Sequence, residues 1–122
     1  MKILENNIPL SLGKQRQSLE PADPVVDSVV ERISQAVRPE KVFLFGSRAS
    51  GHARNDSDID LLLLCPGAKD KRQIKLAAHR LFDHPQFSLD VFVLTPQEFE
   101  EQKQVANTLA REVFQSGRLC YG

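Results

Sequence analysis

Three aspartates and a Gly-Ser pair hold the chemistry that this sequence offers. The stretch SDID, Ser57 to Asp60, leads into IDLLLL, and Asp90 stands early in LDVFVL. Side chains on a strand alternate between faces, so Asp58 and Asp60 share one face while Ile59, Leu61 and Leu63 share the other. Two carboxylates roughly 6–7 Å apart along a strand repel each other at the edge of a core unless a cation lies between them. Oxygen ligands without a nearby Cys or His set favour Mg²⁺ or Mn²⁺ over zinc. Asp90, between Leu89 and Val91, is a poor strand former and needs a reason to be there. If its strand lies beside that of Asp60, it joins the same cluster. Three carboxylates around a pair of divalent ions is the arrangement used for two-metal phosphoryl and nucleotidyl transfer.

Upstream, FLFGSRASG leaves an apolar run and enters a short turn or helix. Gly46 allows close backbone approach, and Ser47 sets a hydroxyl beside exposed N–H groups, a way of holding phosphate. Arg48, His52 and Arg54 add local positive charge suited to a triphosphate. Taken singly, each piece has a plainer reading: Gly-Ser as a turn, Asp-x-Asp as a solvated strand cap, a single strand Asp as an exposed edge. His79 and His84 read as surface residues with no catalytic role. The order of the pieces changes their weight: strand, Gly-Ser, spacer, Ser-Asp-x-Asp at the next strand, then Asp on a third.

The elements that must position these residues follow from periodicity. Asp23 before Pro24 is a helix start, and Val26, Val29, Val30, Ile33 and Val37 recur at helical spacing until Pro39. KVFLFG and IDLLLL read as buried strands. Ile74, Ala77, Ala78, Leu81 and Phe82 give one face of a helix predicted over 70–82, and SLDVFVL is a third strand. TPQEFEEQ opens a helix at Pro96 capped by Thr95. A further helix runs from about Thr108 to Ser116, stopped by Gly117, and RLCY forms a closing edge strand. The expectation is an α/β fold, a small mixed sheet flanked by helices that pack mainly on one side. Residues 1–22 lack a sustained period and read as an arm that is mobile or ordered by a partner; residues 23–122 form the domain.

Bulk composition narrows the function classes. The chain has 122 residues, 41% hydrophobic and 26% charged, enough for one domain with one modest core. Lys plus Arg and Asp plus Glu each number 16, so no global basic field exists to hold nucleic acid. Cys65 and Cys120 lack metal-like spacing and read as reduced thiols of a cytoplasmic protein. No apolar run approaches the ~18 residues of a membrane span, and Asn6, Asn7 and Pro9 interrupt the apolar start that a signal peptide would need.

The spaced elements of FLFGSRASGHARNDSDIDLLLL together with LDVFVL closely resemble the signature of the minimal nucleotidyltransferases of the DNA polymerase β superfamily, G-S-x-A-x-G, then S-D-x-D, then D. The resemblance covers Asp23 to Gly122. It implies the polymerase-β-like nucleotidyltransferase fold. It also implies transfer of a nucleoside monophosphate, AMP from ATP, to an acceptor hydroxyl with release of pyrophosphate. Asp58, Asp60 and Asp90 would be the catalytic, metal-holding carboxylates for two Mg²⁺ or Mn²⁺ ions, with Asp90 also a candidate base. Gly46, Ser47, Arg48 and Ser57 would bind the nucleotide. The position often Arg in relatives is Ser50 here, which leaves the phosphate clamp to Arg48.

Larger relatives carry an acceptor-binding domain that this chain is too short to include. The acceptor is therefore expected from another protein. In this family the common partner is a small helical HEPN ribonuclease toxin, which the nucleotidyltransferase counters as antitoxin by adding AMP to a tyrosine or by binding. Two other readings stand beside it: a noncatalytic module that masks its partner by contact, and a small-molecule nucleotidyltransferase of the aminoglycoside-modifying kind.

Overall fold

The structure, a computed structural model, describes residues 23–50, 58–83, 85 and 87–122. The expected N-terminal arm, Ser57, His52, Arg54 and His84 lie outside the described residues. Helix α1, Pro24–Val37, starts where Asp23 caps it, the carboxylate accepting from the Val26 N–H at 3.3 Å. Its inward stripe of Val26, Val29, Val30 and Ile33 is buried. The helix closes on Arg38 in the left-handed region, φ 57°. Strand β1, Lys41–Phe45, follows, then the one-turn helix α2, Ser47–Ser50, and strand β2, Ile59–Leu64. Helix α3, Lys71–His79, is capped by Asp70 and ends sooner than its apolar pattern predicts. Leu81 and Phe82 pack on the core from the turn beyond it, while Ala77 faces outward. Strand β3, Leu89–Leu94, helix α4, Pro96–Gln102, helix α5, Leu109–Ser116, and strand β4, Arg118–Tyr121, complete the described chain.

The four strands form one mixed sheet in the order β3-β2-β1-β4. β2 runs antiparallel to β1 and parallel to β3, and β4 closes the other edge antiparallel to β1. The α3 crossover makes the parallel pair possible, since parallel strands cannot be joined by a tight turn.

Helices cover both faces of the sheet, which corrects the one-sided packing expected from the sequence. α1 and α3 cover the face carrying Val42, Leu44, Ile59, Leu61, Leu63 and Val91. α4 and α5 cover the opposite face, where Phe99, Ala110 and Val113 meet Phe45, Leu62 and Leu64. Phe43 stacks on Phe99 there, ring centroids 5.4 Å apart. The signal was present in LLLL: a strand with one wet face alternates, whereas an unbroken apolar run is buried on both. Among the described residues no helix is long and apolar enough to cross a membrane.

Candidate active site

Asp60 and Asp90 are register partners across the β2–β3 pair. Their Cα atoms are therefore about 5 Å apart with side chains on the same face. On its other side Asp60 is the partner of Phe45, the last residue of β1, so Gly46 begins where Asp60 stands. Asp58 lies exposed just before β2. The starts of β2 and β3 thus bring Asp60 and Asp90 together beside the end of β1, on the face shared with α4 and α5.

Gly46 is required by contact as well as by backbone. Its φ is +77°, a conformation L side chains rarely adopt, and a Cβ built there would overlap Asp60 Oδ2. The turn it makes is then closed by its carbonyl, which accepts from the N–H groups of Ala49 and Ser50 at 3.1 and 3.2 Å. Ser47, at the start of α2, is exposed beside this turn. Arg48, the next residue, has a partner at the cap of α1. Its Nη1 donates to Asp23 Oδ2 at 2.9 Å, and its side chain is only 6% exposed. It ties the loop after β1 to the cap of α1.

Burial and then the negative charge of Asp90 push the Asp60 carboxyl above its ordinary value of 3.8. Asp58 and, more weakly, Glu112 on α5 add to the effect. Asp90, Asp58 and Glu112 are all acidic, so their charges act on Asp60 in the same direction. A divalent cation would relieve this repulsion. No three Asp, Glu, His or Cys side chains among the described residues already converge as a metal cage. The oxygen donors of Asp60 and Asp90, in register on one face, and the open side that Gly46 leaves beside Asp60 nevertheless fit a hard divalent ion. Glu112 is the acidic neighbour that sequence reasoning missed. It belongs to no motif, and only the packing of α5 on this face brings its charge to bear.

Comparison with known proteins agrees with this geometry. The profile of the nucleotidyltransferase domain family matches residues 26–119. No curated protein sequence matches the chain. Among solved structures, a toxin–antitoxin with AMP-PNP is similar at TM-score 0.51 and 19% identity, over 79% of this chain and 73% of that one. A Sulfolobus solfataricus protein described as a candidate nucleotidyltransferase is similar at TM-score 0.48 and 23% identity, over 79% and 76%. At such identity the first likeness speaks to the fold. The family profile spans α1 to β4 and takes in Gly46, Asp58, Asp60 and Asp90: the chain belongs to the nucleotidyltransferase domain family.

Proposed function

We propose that this chain transfers AMP from ATP to a hydroxyl of a partner protein, a tyrosine of a helical HEPN-type toxin, and acts as that toxin's antitoxin in the cytoplasm. The observation that carries the reading is the register of Asp60 with Asp90, set beside Gly46, in a chain of the nucleotidyltransferase family. The toxin–antitoxin neighbour with AMP-PNP is in keeping with an adenine nucleotide and a toxin partner.

Asp58, Asp60 and Asp90 would hold two Mg²⁺ or Mn²⁺ ions. When bound, such ions neutralise triphosphate charge and lower the pKa of the acceptor hydroxyl. Gly46 lets the phosphates come close to the backbone, with Ser47 and Ser57 as hydroxyl donors. Arg48 holds the Gly46 turn through Asp23. The acceptor oxygen attacks the α-phosphorus, its proton passes to Asp90, and the bond from the α-phosphorus to the bridging oxygen breaks to release pyrophosphate.

The test is mass spectrometry of the toxin after incubation with this chain, Mg²⁺ and labelled ATP. The expected result is AMP on a tyrosine, lost with Asp90→Asn while the complex persists. Neutralisation of the toxin without any labelling would overturn the catalytic reading in favour of masking by contact.

A further inference from the structure

Phe92 is an aromatic ring left open beside the carboxylates. Strand β3 lies at the edge of the four-stranded sheet. Its side chains alternate, so Val91 and Val93 are buried with α1 and α3, while Asp90, Phe92 and Leu94 share the other face. On that face Leu94 packs against the cluster under α4 and α5. Phe92, one step nearer the site, is 36% exposed. A single open apolar side chain is ordinary, but this one stands two residues from Asp90 on the same face, about 6–7 Å along the strand.

The ring is held in place as well as open. Its register partner Leu62 is fully buried. Its centroid lies 5.6 Å from that of Phe45, the two planes at 55°. Lys75 Nζ, from α3, is 5.5 Å from the same centroid. A ring fixed by its neighbours loses little freedom when a further group packs on it.

The two sides of the site do different work in the reaction proposed above. Gly46, at the β1 side of Asp60, is where phosphate comes close to the backbone, whereas Asp90, at the β3 side, takes the acceptor's proton. The acceptor therefore enters from the edge-strand side, where Phe92 stands. A tyrosine whose hydroxyl meets Asp90 brings its ring within the range of about 4.5–7 Å over which aromatic pairs attract. Serine and threonine have no ring to place there.

We propose that Phe92 receives the aromatic ring of the acceptor and so selects a tyrosine hydroxyl over those of serine and threonine. The inference rests on the transfer reaction proposed above and adds to it the residue that reads the acceptor.

The test compares N-acetyl-tyrosinamide with N-acetyl-serinamide as acceptors of labelled AMP, in Mg²⁺ and ATP, for the parent chain and Phe92→Leu. Leucine keeps an apolar cover over Leu62 and removes the ring, and circular dichroism checks each fold. The parent chain should favour the tyrosine acceptor. Phe92→Leu should raise the KM for it by about five- to tenfold, and Phe92→Trp should restore it, with the KM for ATP unmoved throughout. Equal use of the two acceptors by the parent chain, labelling of neither, or a tyrosine KM indifferent to Phe92→Leu overturns the proposal. So does a raised KM for ATP in that variant, which would put the adenine ring on Phe92. The transfer reading is judged separately, by labelling of the toxin.

Discussion

Asp60 is the residue where stability and function pull apart. Its carboxyl is raised by burial and by Asp90, so the folded metal-free protein holds a proton more tightly than the unfolded chain does. The contribution of Asp60 to folding stability without metal should therefore be fully present below the unfolded value near 3.8 and be lost as pH rises through the folded one. Asp60→Asn removes that loss: its melting temperature in EDTA at pH 7 should exceed that of the parent chain by a few degrees, while transferase activity drops by about 10²-fold or more. A melting temperature below the parent's would show that the charge is not strained. The same proton competes with metal, so Mg²⁺-dependent nucleotide binding should weaken on the acid side before an ordinary carboxylate titrates.

Gly46→Ala makes the complementary case. A left-handed φ with a side chain costs about 1–2 kcal/mol, and the added methyl strikes Asp60. A thermal scan should show a fall of about 5 °C or more, and calorimetry should show nucleotide affinity lost with it. Unchanged affinity in a folded variant would return Gly46 to the role of a plain turn.

At the scale of elements, the site depends on how its helices are tied down. Arg48 joins the loop after β1 to the cap of α1 through Asp23. Arg48→Met should lower stability by about 1–2 kcal/mol, by the loss of a charged hydrogen bond at a site still partly open to solvent. Nucleotide affinity should change little, and a large affinity loss at unchanged stability would restore the phosphate clamp. Helix α4 begins with a reciprocal capping box, Thr95 Oγ1 accepting from the Glu98 N–H at 3.0 Å and Glu98 Oε1 accepting from the Thr95 N–H at 2.9 Å. It holds Phe99 over Phe43. Thr95→Ala should cost about 1 kcal/mol, read as a fall of roughly 4 °C in melting temperature.

For the molecule as a whole, ligand binding must show as stability. Mg²⁺ with ATP at about 100-fold over Kd should stabilise the fold by about 2.7 kcal/mol, since it binds only the native state. In a thermal scan the double substitution Asp58→Asn with Asp60→Asn should abolish the shift. An undiminished response would place the nucleotide elsewhere than the three strand ends.

Much of this was legible in residue order. Asp23-Pro24, Thr95-Pro96 and Thr108 marked helix starts because caps are local hydrogen bonds, and the structure has helices at each. The valines of α1 and the apolar runs of β1 to β3 declared themselves by period. Where the reading failed, a distant partner decided. α3 stopped at His79 although its apolar pattern ran on to Phe82, because side chains past a helix end can still reach the core. The bond from Arg48 to Asp23, twenty-five residues upstream, was likewise beyond what sequence neighbours could show. The sequence by itself determined the element types and the residues able to do chemistry, both set by local sterics and side-chain identity. Tertiary structure alone decided that Asp60 and Asp90 share a register and that Glu112 adds its charge. Each of these depends on strand order and helix docking, which arise from burying apolar surface that no single segment can bury alone.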